Sequence, residues 1–183
     1  AQLGQNEDTL RAFNRATLAV GQSRRVTPAA EWLLDNFYLI EEQIQMARRH
    51  LPRGYSRELP RLLNGPSAGL PRVYDIVLEL ISHVDAQIDV EPLTTFIASY
   101  QTVTPLKLSE LWAIPIMLRI GLIENLQRVT SRLAIARQDR DRADSWVDRL
   151  QDMAEKNPSH LVIVVADMAK SDLPLSSSFV AEF

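Results

Sequence analysis

TPAAEWLLDNFYLIEEQIQMARRHLPRGYSRELP, residues 27–60, carries the strongest folding signal in the chain. Thr27 followed by Pro28 is a helix start: a threonine N-cap, then proline at the first helical position, where its missing N–H costs nothing. From there Ala30, Leu33, Phe37, Ile40, Ile44, Ala47 and Leu51 recur at alternating three- and four-residue steps. That spacing predicts one helix of about six turns with a core-facing stripe. Leu51-Pro52-Arg53-Gly54 ends it, and a long connection runs on to Pro71.

The same periodicity recurs on both sides of this stretch. A weak first helix is expected over Glu7–Val20, with Leu10, Phe13, Thr17 and Val20 on one face. Another is expected over about Val73–Ile88, and a third after Asp89, ending before Thr104-Pro105. The longest is expected to start with Ser109 as N-cap and to reach about Ala136. Its first half is apolar all round, which predicts a helix surrounded by others. Pro115 lies inside it and should bend it. Arg137–Ser145 reads as an exposed helical turn or a hinge, before helical spacing resumes at Ala143, Trp146, Val147, Leu150 and Met153. Leu161–Val165 is rich in β-branched residues but has no partner strand, so a short buried helix is expected there. Ser176–Ser178 reads as the cap of a last helix cut off at Phe183. The fold class that follows is all-α, an irregular bundle of about six to eight helices around a long Pro-kinked central one. Residues 1–183 are expected to form a single helical domain.

Composition bounds function mostly by exclusion. The net charge of −3 lacks the basic footprint of a nucleic-acid binder. There is no cysteine, hence no disulfide framework and no thiolate metal site. No apolar run approaches the roughly 18 residues of a membrane span, and the polar, acidic N-terminus is not a signal peptide. The isolated chain is therefore expected to be soluble. His50, His83 and His160 stand apart from one another, and no H-E-x-x-H, P-loop, dinucleotide or nucleophile-elbow pattern occurs. Asp139-Arg140-Asp141 has the Asp-x-Asp spacing of sugar-nucleotide transferases, but among Arg137, Arg140 and Arg142 in a helical context it reads as a solvated helix face. Glu31, Asp35 and Glu42 share one side of the helix wheel and read as a polar face rather than a glycosidase pair. Trp32, Trp112 and Trp146 read as core. No catalytic residue, metal ligand or cofactor site is expected.

The charge layout is lopsided. Arg48, Arg49, Arg53, Arg57, Arg61 and Arg72 face a single acid, Glu58, across residues 48–72, a local balance of +5. Residues 73–106 carry Asp75, Glu79, Asp85, Asp89 and Glu91 with no lysine or arginine, a balance of −5. Either the two segments neutralise each other, or the arginines face outward to phosphate, on lipid head groups or on another domain. Arg119 lies on the most apolar helix, where an unpaired charge is costly. A buried ion pair with Glu31, Asp35 or Glu124 is expected.

Three strings, TPAAEWLLDN (27–36), LPRGYSRELP (51–60) and SELWAIPIMLRIGLIENL (109–126), with PRVYDIVLELISHVDAQID (71–89), resemble the N-terminal portion of bacterial cyclic β-1,2-glucan synthases. The resemblance implies that the chain is a helical piece of a very large inner-membrane protein that polymerises glucose from UDP-glucose. It places the piece on the cytoplasmic face of that membrane. The family's Q-x-x-R-W type transferase motif and its phosphorylase motifs do not occur here, so no catalytic residue carries over. The implied role is a non-catalytic scaffold or interaction domain, with the other domains of the parent as partners. The alternatives are a glucan-binding module using Trp32, Tyr38, Tyr55 or Tyr74 as stacking platforms, and an independent regulatory helical protein.

Overall fold

The computed structural model describes residues 2–20, 27–50, 58–84, 87–170 and 176–182. Helices dominate these residues, with no named strand among them, and the chain falls into two compact units, residues 1–128 and 129–183.

In the first unit, α1 (Gln2–Val20) packs on α2 (Pro28–Asp35) and α3 (Phe37–His50). Thr27 caps α2 as expected, its Oγ1 accepting the Ala30 N–H at 3.4 Å. The six-turn helix, however, is broken at Asn36. The Asn36 side chain donates to the Trp32 carbonyl at 2.8 Å, and its own N–H also turns back to that carbonyl, at 3.1 Å. Asparagine competes in this way with the helical ladder. The apolar stripe survives the break, with Ala30, Leu33, Phe37, Ile40, Ile44 and Ala47 all buried.

Residues 58–71 are ordered by backbone pairing. Leu62 donates to Leu70 O at 3.0 Å, Gly69 to Leu62 O at 2.8 Å and Arg72 to Pro60 O at 2.8 Å, closing a small antiparallel loop. Gly65 and Gly69 turn the chain with φ of 88° and 83°, backbone that favours glycine. This loop delivers α4 (Arg72–His83), whose Val73, Tyr74, Ile76, Val77, Leu80 and Ile81 are buried. The helix ends about a turn earlier than the sequence suggests. α5 (Val90–Val103) buries chiefly Ile97.

α6 runs unbroken from Leu108 to Lys156. The charged run 137–145 is neither a hinge nor a separate turn: it holds no glycine or proline, and its arginines, glutamine and alanine are compatible with helix. Ser109 is inside the helix rather than its cap. Pro115 has no N–H to give the Leu111 carbonyl. Gly121 lets α4 approach closely: a Cβ there would meet the Ile81 Cδ1 at 2.7 Å and methyls of Leu78 and Val77 at 3.4 Å. Gly121→Val is expected to lose about 1–3 kcal/mol to overpacking. Gly121→Ala should be nearly neutral, because the Ile81 terminus can swing away and alanine favours helix by about 1 kcal/mol. Chemical denaturation of the two variants side by side checks this, and equal losses would place the constraint elsewhere.

The second unit contains the rest of α6, a 3-10 turn at Pro158–His160, α7 (Leu161–Lys170) and α8 (Ser177–Glu182). The β-branched segment is helical as expected but is not buried: in α7 only Val164 is, and Val162, Ile163 and Val165 face solvent. α8 is short and held by its cap. Ser176 Oγ accepts the Phe179 N–H at 3.1 Å and donates to Asp139 Oδ2 at 2.6 Å, while Phe179 is 2% exposed. Asp139 is therefore a buried structural acid, not part of a solvated face. Ser176→Ala should loosen α8 by about 1 kcal/mol, read as faster amide exchange at Phe179.

Candidate interaction groove

The four described arginines of the cluster, Arg48, Arg49, Arg61 and Arg72, are held in different ways. Arg48, from the last turn of α3, binds the buried Glu7 of α1, which Arg11 also reaches at 3.0 Å. Arg61 lies back on the Gly69 carbonyl. Arg49 is exposed, and Arg53 and Arg57, with Tyr55, lie outside the described residues. Arg72, at the start of α4, clasps Glu110 with two bonds, Nε to Oε1 at 3.0 Å and Nη2 to Oε2 at 2.6 Å. Neither Glu7 nor Glu110 lies in the acidic segment 73–106. The compensation of Arg48 and Arg72 is internal, but its acids come from elsewhere.

Glu110 is 0% exposed and is the acid that the sequence reading missed. Its Oε2 also accepts the Lys107 backbone N–H at 3.0 Å. That is the returning half of a capping box, with Lys107 as N-cap and Glu110 three residues on. Burial by itself would raise this carboxyl. The Arg72 hydrogen bonds, the Lys107 amide and the Arg72 charge outweigh burial and hold it below the usual glutamate range. A Lys-x-x-Glu step opening a helix was the available signal.

Arg119 differs from expectation in the opposite sense. Its Nε donates to Gln43 Oε1 on α3 at 2.8 Å, and the guanidinium is half-buried. Glu31 and Asp35 are exposed on α2, and Glu124 accepts the hydroxyl of buried Tyr74. Burial first, then that bond to a carboxylate, pushes the Tyr74 hydroxyl pKa far up. An amide suffices for Arg119 because part of its head remains in water.

The Gln43–Arg119 bond crosses an open groove of about 340 Å³ between α3 and α6, within the first unit. Leu39 and Ile40 line one wall, and Pro115, Leu118, Leu122, Ile123 and Leu126 the other. On α6, Leu108, Trp112, Pro115, Arg119, Leu122 and Leu126 fall at steps of three and four, a single stripe. None of the six is fully buried, and Trp112 is 75% exposed. The helix that is apolar all round is thus left uncovered along one face. Trp32 and Tyr38 are likewise exposed, at 57% and 66%, so the expectation of core tryptophans fails for Trp32 and Trp112. Trp146 is half-buried, with the Arg149 guanidinium 4.4 Å above its ring.

Among the described residues no cluster of histidines and carboxylates could hold a metal ion, and no helix is long and apolar enough to cross a membrane.

No family model matches the chain. Over 179 residues, 97% of its length, it is 34% identical to the cyclic β-(1,2)-glucan synthase NdvB of Rhizobium meliloti, and the match spans 6% of that relative. The likeness carried by the strings at 27–36, 51–60, 71–89 and 109–126 therefore extends across nearly the whole chain, which corresponds to a segment of a cyclic β-1,2-glucan synthase.

Proposed function

We propose that the chain is a non-catalytic helical interaction domain of a cyclic β-1,2-glucan synthase, acting within a protein that polymerises glucose from UDP-glucose at the cytoplasmic face of the inner membrane. The observation that carries this reading is the uncovered α6 stripe with its α3–α6 groove. A contiguous apolar channel open to water is a cost that a domain offsets by covering it with a partner. Other domains of the same synthase are the partners this role requires, since the chain corresponds to 6% of the relative's length.

The test is Leu122→Glu together with Leu126→Glu in the full synthase. Both side chains line the groove and are only half-buried, so the 183-residue chain should keep its helicity and melting point within a few degrees. The synthase should assemble poorly and lose most glucan synthesis in membranes. The isolated chain should transfer no glucose from UDP-glucose. Normal synthase assembly with both glutamates in place would falsify the interaction role.

The exposure of Trp32 and Tyr38 favours glucan binding as a second reading, with their rings as stacking platforms. Neither lines the groove, and Tyr74 is buried. Titration of the chain with cyclic β-1,2-glucan should leave tryptophan fluorescence unchanged under the interaction-domain reading. A saturable shift abolished by Trp32→Ala would establish the second.

A further inference from the structure

We infer that the α3–α6 groove seats one amphipathic helix of the same synthase, and that this helix brings a carboxylate on its apolar face to Arg119. The inference rests on the interaction-domain reading and names the occupant of its groove. Three features of the groove carry it.

The first is shape. From Pro115 to Leu126 the α6 wall spans twelve residues, about 17 Å over eleven rises of about 1.5 Å, or three helical turns. Its lining positions step by three and four along α6, opposite Leu39, Ile40 and Gln43 on α3. Ridges so spaced accept the side-chain rows of a third helix.

The second is the polarity of the walls. Seven of the nine lining residues are aliphatic or proline, and the polar groups reduce to Gln43 and Arg119. A glucan, with hydroxyls on every residue, would leave most of them unpaired on such walls.

The third is charge. Arg119 Nε is taken by Gln43, while among the described residues Nη1 and Nη2 bond to nothing. In the open groove water serves them. Once an apolar surface covers the groove, that water leaves, and a cation stranded among leucines would cancel the gain from burial. The covering element must therefore bring an acceptor, and a carboxylate meets the guanidinium with charge-assisted, two-point geometry. An apolar helix without an acid is excluded by the same penalty, so Arg119 selects as well as binds.

The experiment places a photo-crosslinking amino acid at Leu122 in the full-length synthase in its native membrane. A matched control sits at Leu63, which is 89% exposed and far from the stripe in sequence. Crosslinked peptides are identified by mass spectrometry. The expected result is a crosslink from position 122, absent from position 63, to a helical segment with apolar residues at three- and four-residue steps and one Asp or Glu among them. Arg119→Glu should cut that yield about tenfold or more, and exchanging the partner acid for arginine in that background should restore it. The isolated chain guards against misfolding: Arg119→Met and Arg119→Glu should both keep its thermal midpoint within a few degrees, because Arg119 bonds to an amide rather than to an acid that its loss would strand, and the groove is open to water. If Arg119→Glu does unfold the chain, Arg119→Met carries the yield comparison, again with about tenfold loss expected.

A crosslink to a segment without an acid, or one indifferent to Arg119, overturns the carboxylate-bearing helix while leaving the interaction domain standing. Crosslinks only to lipid, or only to residues 1–183 of a second copy, overturn the proposed occupant. No crosslink at all from position 122 overturns both this inference and the reading on which it rests.

Discussion

Arg72→Met is expected to lower the stability of the first unit by about 3 kcal/mol, the lower end of the range for breaking a buried ion pair. The loss comes from what remains. Glu110 is fully shielded from solvent, and its two oxygens lose both guanidinium bonds at once. The lower end applies because the cover is thin: the site is the first turn of α6, and the Arg72 side chain is itself 18% exposed. In thermal melting this corresponds to a drop of roughly 10 °C for a unit of this size. Arg72→Lys should recover only part of the loss, since a single ammonium cannot span both oxygens while Arg72 also reaches the Pro105 carbonyl at 3.3 Å. Replacing both partners, Arg72→Met with Glu110→Met, should be milder than Arg72→Met alone. A double variant as unstable as the single would show that the acid's bond to the Lys107 N–H, rather than the ion pair, holds α6 in place.

The same pair sets a pH dependence whose sign follows from its direction. The folded carboxyl of Glu110 lies below its ordinary value of 4.5. Its contribution is therefore complete above that value and is lost as pH falls through the depressed one. Denaturant midpoints measured at neutral pH and at about pH 3 should fall for the wild type, and fall less for Glu110→Gln, which has no proton to take up there. Parallel acid limbs for the two proteins would assign the acid sensitivity to other carboxylates.

The all-α class, the Thr27 cap and the buried stripe on α2 and α3 were legible because each rests on local periodicity or capping. What periodicity could not reveal is which faces find a partner. The first half of α6 reads as surrounded because every side of it is apolar; the structure covers one side with α4, through Gly121, and leaves the Leu108–Leu126 stripe open. Trp32 and Trp112 read as core for the same reason, yet an apolar face is not by itself a buried one, and both are exposed. The break at Asn36 was hidden because the stripe continues through it, and the backbone leaves helical geometry at that one residue, with φ of −104° and ψ of 9°. Ion pairs were the least legible part. Arg72 and Glu110 are 38 residues apart, and no pattern in one helix announces a partner in another. The groove depends on both limits at once, an unpartnered face and an arginine whose acid is not among Glu31, Asp35 and Glu124.

The second large effect is expected from α1, and it should be sharply non-additive. Glu7 is 8% exposed at its side chain and is held by two arginines, Arg48 from α3 and Arg11 from its own helix, with Arg11 also reaching Glu41 at 3.1 Å. Either arginine alone leaves the acid a cation, so Arg11→Met and Arg48→Met should each cost about 1 kcal/mol or less, as for pairs whose basic member is largely exposed. Arg48 and Arg11 are both 45% exposed at their side chains. Removing both strands a buried carboxylate between α1 and α3, beside the core residues Leu10 and Phe13. The double variant should then lose about 3 kcal/mol, a coupling of about 1 kcal/mol or more beyond the sum of the singles. Adding Glu7→Gln to the double variant should return most of that loss, because an amide needs no counter-charge. The readout is chemical denaturation together with amide exchange along α1, which should rise at Leu10 and Phe13 before it rises in α4. A strictly additive double variant would mean that Glu7 reaches water when its partners are gone. α1 would then be held by apolar packing alone, and Arg48 would be available after all to the outward-facing arginine surface that the sequence left open.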